Sequence, residues 1–232
     1  MAKRKQGLVI AIDGPSGAGK STVARRFAER LGYRQIDTGA MYRAVAYVIS
    51  QAGIDLNNSE AVARLCSTID IRLDSANGSQ RVVANGQDVT DRIRTPEMSL
   101  MTSRISTLKP VREAMMRAQR VMGGDGGVVL EGRDIGTVVF PDAELKFFLS
   151  ASPEERGRRR HAELIQKGEK VTLEETIADV VRRDLQDSER DLAPLRQADD
   201  AILIDSSLMD VEQVLDRMAA CFSEKLTKRQ EQ

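Results

Sequence analysis

Five short apolar runs, LVIAI 8–12, YRQI 33–36, VVLE 128–131, LKFFL 145–149 and AILI 201–204, stand apart from the amphipathic stretches between them. Four are almost continuously hydrophobic. Strands covered by helices on both faces have that texture, whereas strands with one wet face alternate apolar and polar residues. YRQI carries polar residues inside and is read as a strand from its place between helical patterns. Apolar strands alternating with helical periodicity predict an α/β protein with a parallel sheet between helix layers.

The texture changes between residues 69 and 93. There IDIRLDSANGSQRVVANGQDVTDRI sets Asn77-Gly78 and Asn85-Gly86 between strand-like pieces. Asn-Gly favours the two-residue turn whose twist matches antiparallel strands, so this segment predicts a small inserted meander. Further on, SPEE from Ser152 to Glu155 offers an N-cap, a first-turn proline and a capping-box glutamate ahead of an arginine-rich helix that Gly168 can end. Thr172 with Glu175 repeats the capping signal for the next helix. The last eight residues, KLTKRQEQ, lack an apolar face and predict a frayed end.

Composition narrows the class. At 232 residues, with 41% hydrophobic and 30% charged residues, the chain predicts one core with elaborations. Lys plus Arg and Asp plus Glu both total 35, and aromatics make up 3%, so neither a broad electrostatic footprint nor stacking platforms for nucleic acid are present. Anion recognition must come from local clusters. Cys66 and Cys221 stand alone, without CxxC spacing, and His161 is the single histidine, which argues against zinc and for a reducing cytoplasm. After the basic start MAKRK, the apolar run Leu8–Ile12 stops at Asp13, too short for a secretory core or a membrane span.

The first run leads into Gly14-Pro15-Ser16-Gly17-Ala18-Gly19-Lys20-Ser21, which matches GxxxxGK[ST] at every fixed position, with Thr22 behind it. STVARRFAERL then continues with helical spacing. Strand, loop and helix together are what a nucleotide-phosphate cradle requires. Glycines let backbone amides crowd around phosphate oxygens, the helix N-terminus contributes its positive end, Lys20 reaches the outer phosphates, and the Ser21 hydroxyl can ligate Mg2+. The motif does not name the acceptor, although the absence of any Asn-Lys dipeptide disfavours a GTPase switch.

Four arginine-bearing segments supply candidates for the acceptor side. In EERGRRRH, Arg156, Arg159 and Arg160 share a helical face, beyond a strand's carboxyl end where ligands of open parallel sheets gather. Arg183, Asp187 and Arg190 form a stripe beside an apolar one of Ile177, Val180, Val181 and Leu185; spacing alone leaves open whether that stripe is a site or an ion-pair ladder. EGRDIGTVVFPD sets Arg133 and Asp134 at the end of a buried strand, and DTGAMYR sets Arg43 behind the second strand.

Taken in order, IDGPSGAGKST, DTGAMYR, VREAMMRAQR, EGRDIGTVVFPDA and RRDLQDSERDLAPL resemble the bacterial cytidylate kinases, within the P-loop nucleoside monophosphate kinases. The resemblance spans residues 8 to about 222 and implies a five-stranded parallel sheet with an inserted antiparallel subdomain and a helical lid. It divides a single domain 1–232 into a core (about 1–37, 110–151 and 190–232), a nucleoside-monophosphate part (about 38–109) and a lid (about 152–170). It implies transfer of the γ-phosphoryl group of ATP to CMP or dCMP with Mg2+, in a monomer. It puts cytosine contacts at Thr38, Ser103, Arg112 and Asp134, the acceptor phosphate at Arg43, Arg133 and Arg190, and the sugar hydroxyls at Arg183 and Asp187. Lys20, Arg133, Arg156 and Arg160 would act on the moving phosphoryl group. Two positions depart from the family pattern: Thr38 stands where serine is common, and Glu131 where aspartate is. A kinase for another small acceptor, such as shikimate, and a nucleotide-sensing module are the rival readings.

Overall fold

The computed structural model describes residues 4–76 and 79–230. Strand β1 (Val9–Asp13) is buried along its whole length, and a glycine-rich loop joins it to α1 (Lys20–Leu31), which turns Val23, Ala24, Phe27 and Ala28 inward. Next come β2 (Arg34–Asp37) and α2 (Thr38–Gln51). The Asp37 carboxylate caps α2 by accepting the Ala40 N–H at 2.8 Å. Helix α3 (Ser59–Thr68) leads to the meander β3 (Ile71–Ala76), β4 (Ser79–Ala84) and β5 (Gln87–Asp88), followed by α4 (Pro96–Ile105) and α5 (Lys109–Gly123). The chain continues through β6 (Val128–Gly132), a wide helical turn at Ile135–Val139, β7 (Leu145–Ser150), helices α6 (Pro153–Gln166) and α7 (Leu173–Glu189), β8 (Ile202–Asp205) and α8 (Val211–Gln230).

All five apolar runs became strands of one parallel sheet, in the order β2-β6-β1-β7-β8. The central strand β1 pairs in parallel with β6 and β7, and β7 with β8. Centrality explains why β1, β6 and most of β7 are buried. β8 reads the same in sequence but lies at the edge, where Leu203 is 48% exposed. In the meander, β3 to β5 pair antiparallel, and Asn85 and Gly86 both take positive φ (48° and 81°) in the two-residue turn between Ala84 and Gln87. The other expected turn, Asn77-Gly78, lies outside the described residues.

Contacts divide the chain into two compact units, one running through Gln35 and resuming at Gly123, the other Ile36–Met122. The core of the first joins Leu8 and, from β1, Ile10 and Ile12 to Phe27, Phe147, Leu149, Ile204 and Met218. Phe27 meets Phe147 and Phe222 edge-on, with ring centroids 6.3 Å apart in each case. In the second, α2 packs on β3, β4 and α4.

The two capping signals came out differently. At Thr172 the box closes in both directions, because Glu175 accepts the Thr172 N–H at 2.9 Å and Thr172 Oγ1 accepts the Glu175 N–H at 3.1 Å. At Ser152 the hydroxyl accepts from Glu155 N–H at 3.2 Å, but the Glu155 carboxylate pairs with Arg158 and Arg159. Helices α6 and α7 lie so close that a β-carbon on Gly157 would come 2.3 Å from Ile177 Cγ1. Of the apolar stripe on α7, Val180 is buried, whereas Val181 and Leu185 are 47% and 56% exposed. Helix α8 persists to Gln230 instead of fraying from Lys225, with the Ser223 and Thr227 hydroxyls bonded to carbonyls four residues back. No helix among the described residues is long and apolar enough to cross a membrane.

Candidate active site

The glycine-rich loop lies at the carboxyl end of the central strand. Gly14 has φ 149°, and a β-carbon there would come 2.0 Å from the Leu149 carbonyl oxygen of β7, so the loop leaves β1 pressed against its neighbour. Lys20 begins α1 with its side chain 7% exposed as a residue and its ammonium donating to the Pro15 carbonyl at 2.6 Å. Burial pulls the Lys20 pKa well below the ordinary lysine value; the Arg133 charge adds to this, and the carboxylates Glu131, Asp187 and Asp13 oppose it. A phosphate arriving here would supply the anionic partner that the buried ammonium calls for. Ser21, next on α1, donates its hydroxyl to Glu131 Oε2 at 2.7 Å, and Gln35 Nε2 holds the other oxygen at 3.0 Å. Ala18 of the loop is buried, and Thr22 follows Ser21 in the first turn of α1.

Glu131 and Asp13 are functional candidates that the sequence reading did not single out as site residues. Both are carboxylates at the ends of otherwise apolar strands, which is the signal that could have found them. The parallel register sets Ile12 opposite Glu131 and Asp13 opposite Gly132, so both carboxylates emerge beside the loop. Asp13 accepts the N–H groups of Ile135 at 2.8 Å and Gly136 at 2.7 Å, holding the turn that follows Asp134. That turn is wide: the Phe140 N–H bonds back five residues to the Ile135 carbonyl at 2.7 Å.

Burial pushes the Asp13 pKa up to about 6 against the lowering pull of those two N–H bonds; Asp134 adds to the rise and Lys20 opposes it. The folded pKa thus lies above the unfolded value of 3.8. Asp13 therefore contributes stability that is present below pH 3.8 and lost as pH rises through about 6. Relative to Asp13→Asn, which does not titrate, the wild-type protein is expected to lose about 2 kcal/mol between pH 4 and pH 7.5. Urea unfolding of both proteins at the two pH values checks this, and a constant difference would contradict it.

Arg133, whose charge acts on Lys20, stands among further basic side chains. Arg133 Nε, after β6, donates to Asp187 Oδ2 of α7 at 2.8 Å, and Arg190 Nη1 lies 3.7 Å from the other Asp187 oxygen while its Nε bonds the Ala193 carbonyl at 2.9 Å. Arg183 pairs with Asp179 at 2.9 Å. Burial lowers the Arg183 pKa, Asp179 opposes this, and the charges of Arg160, Arg182 and Arg133 lower it further, which brings these guanidinium groups into one electrostatic neighbourhood. Arg160 itself pairs with Glu163 at 3.0 Å. Arg156 is 4% exposed, and its guanidinium is committed to Asp184 and to the Ser16 and Ala151 carbonyls. Of the three arginines on one face of α6, Arg159 turns to Ser206, donating to its hydroxyl at 3.1 Å and its carbonyl at 2.7 Å. Asp134 is 7% exposed.

The remaining predicted residues belong to the second unit. Thr38 opens α2 and is 3% exposed. Arg43, one turn on, has its Nη2 3.4 Å from Asp37 Oδ2, and its buried Nε has no hydrogen-bond partner among the described residues. Gly39 leaves room between them, since a β-carbon there would come 3.2 Å from Asp37 Oδ1 and 3.4 Å from Arg43 Nη1. Ser103 lies on α4, and Arg112 on α5 donates to the Ser106 carbonyl at 3.2 Å, so both occupy the α4–α5 corner.

A glycine-rich loop between a buried central strand and a helix that opens on Lys-Ser, with a carboxylate behind the serine, defines a P-loop protein of the kinase type. The chain belongs to the cytidylate kinase family, whose profile matches residues 10–224, and is a nucleoside monophosphate kinase. It is similar to the cytidylate kinase of Geobacter sulfurreducens, 59% identical over 224 residues that cover 97% of this chain and 96% of the relative. The cytidylate kinase of Citrifermentans bemidjiense is 56% identical over 227 residues, covering 98% of this chain and 97% of the relative. That of Bacillus subtilis is 47% identical over 218 residues, covering 94% and 97%.

Proposed function

We propose that the protein transfers the γ-phosphoryl group of ATP to CMP or dCMP, giving CDP or dCDP and ADP. The observation that carries this reading is the shared electrostatic environment of Lys20, Arg133 and Asp187, which joins the phosphate loop to the cluster of basic residues on α7. A nucleotide monophosphate, with a second pKa of about 6, is mostly dianionic at neutral pH and needs no strong base to act as a nucleophile. Positioning and charge then do the work.

In this reading Gly14 to Thr22 hold the ATP phosphates, and Lys20 stabilises the charge on the transferring group together with Arg160. Arg43, Arg133 and Arg190 align the acceptor phosphate. Arg183 and Asp187 take the sugar hydroxyls, and Thr38, Ser103, Arg112 and Asp134 read the cytosine edge. Arg156 serves through the loop backbone it already binds. The Ser21 hydroxyl and Glu131 carboxylate are hard oxygen donors that suit Mg2+, which prefers oxygen and keeps several waters. When bound there, Mg2+ would neutralise charge on the phosphate oxygens of ATP.

ADP release measured with Mg-ATP and, separately, CMP, dCMP, UMP, AMP, GMP, shikimate or no acceptor tests the proposal. Turnover confined mainly to CMP and dCMP is expected. Faster turnover with another acceptor would discard the base-reading assignments, and no acceptor-dependent turnover would favour a sensing module. For Asp134→Ala, kcat/KM for CMP is expected to fall about 100-fold, because a site built to pair polar base edges penalises an unmatched partner. The loss with UMP should be less than about tenfold, narrowing the gap between the two; equal losses would remove Asp134 from base recognition.

A further inference from the structure

Ser16, in the middle of the phosphate loop, is held by its backbone from both sides. Its N–H donates to Asp184 Oδ1 at 3.3 Å, and its carbonyl accepts from Arg156 Nη1 at 3.0 Å. The same Arg156 nitrogen pairs with Asp184 Oδ2, and Arg156 Nε donates to the Ala151 carbonyl at 2.8 Å. Arg156 comes from the first turn of α6 and Asp184 from α7, so each helix contributes one residue to the grip on the two consecutive peptide groups that flank the Ser16 α-carbon. The loop beyond Ser16 also lies against α6, since a β-carbon on Gly17 would come 3.0 Å from the Arg156 carbonyl oxygen.

Burying an ion pair costs desolvation that mutual attraction repays only when further hydrogen bonds satisfy both partners. Here two of those further bonds go to the Ser16 backbone. Holding α6 to α7 would not require them, because the two helices already pack at Gly157 and Ile177. The bonds restrain the segment whose backbone conformation decides how phosphate oxygens are met.

We infer that Asp184 is a positioning residue for the nucleoside triphosphate site: with Arg156 it clamps the backbone on both sides of Ser16, and so ties the shape of the phosphate loop to the α6–α7 hairpin. This rests on reading the loop as the ATP site. It also gives Arg156 a part that needs no contact with the transferring group.

Isothermal titration of ATP and, separately, of CMP into wild-type, Asp184→Ala and Asp184→Asn proteins tests the clamp, with ADP release measured on each. Misplacing a binding group by a fraction of an ångström is expected to raise the ATP Kd of Asp184→Ala about tenfold, with the CMP Kd within about twofold of wild type. Asp184→Asn keeps an oxygen for the Ser16 N–H but loses the charge opposite Arg156, and its ATP Kd should fall between the two. A merely structural role would weaken both nucleotides alike, and that result overturns the inference. Wild-type turnover with unchanged ATP affinity in both variants overturns the clamp alone. A wild-type protein that binds no ATP overturns the reading of the loop together with it. Failure of both variants to fold would make Asp184 a folding residue and overturn the clamp.

Discussion

Replacing Lys20 by methionine is expected to lower kcat about a thousandfold, with a smaller loss in ATP affinity. Methionine keeps the length and the apolar stem, so packing at this position survives while the charge and the donor are lost. The ammonium is buried against the Pro15 carbonyl at the first residue of α1, where the backbone N–H groups of the helix start also converge. A charge fixed in a water-poor site beforehand needs no rearrangement as the phosphoryl group moves, and removing one such group costs about 100- to 1000-fold in other enzymes. Lys20 should stand at the upper end because it carries a full charge. Single-turnover rates at saturating ATP beside an equilibrium ATP titration check the split between chemistry and binding. A variant that binds ATP poorly but turns over at the wild-type rate when saturated would confine Lys20 to binding.

The elements legible in the sequence were those whose signal is local. β1, β6 and β7 could be read from nearly continuous apolar runs because both of their faces are covered. The same signal in β8 did not reveal an edge strand, since being last in the sheet is a property of the whole topology and not of the run. Asn85-Gly86 specified its turn because two consecutive positive φ angles are a requirement that those residue types meet. Capping was only half legible: Ser152–Glu155 and Thr172–Glu175 carry the same pattern, and the first box stays open because Arg158 and Arg159 compete for Glu155.

The site divides along the same line. The phosphate loop was legible because strand, glycines, lysine and serine are contiguous. Helical spacing set Arg156, Arg159 and Arg160 on one face, yet their destinations differ, and each depends on atoms far away in sequence: Ser16 and Asp184 for Arg156, Ser206 for Arg159. Nothing in VRRDLQD sets Asp184 apart from the charges around it, and it acquires its place only when α7 meets the loop. Arg43 could be read from its place behind the second strand, but Thr38, Ser103 and Arg112 entered through the family resemblance, since no spacing rule joins the start of α2 to the α4–α5 corner.

The second large effect is expected at Gly14. An alanine there would bring its β-carbon to 2.0 Å from the Leu149 carbonyl oxygen, closer than any tolerable contact, and would force φ 149° on a residue with a side chain. The obstacle is backbone in a strand paired on both sides: β7 is hydrogen-bonded to β1 and, at Leu149, registered with Ile204 of β8. Neither partner can retreat without breaking the sheet, so the loop must leave its place. A loss of about 4 kcal/mol or more is expected, the scale reached when a mutation combines a backbone clash with a strained φ. At about 2–4 °C per kcal/mol for a chain of this size, the melting temperature should fall by on the order of 10 °C. Gly19 supplies the comparison, because it too has positive φ, 89°, but a β-carbon there would meet only Arg159 Nη1 at 3.8 Å. Gly19→Ala should therefore show the cost of the backbone conformation alone, about 1–3 kcal/mol. Thermal melts of the two variants side by side separate clash from conformation. Equal losses would mean that β7 yields to the loop, and the rigidity attributed to the central strands would then be wrong.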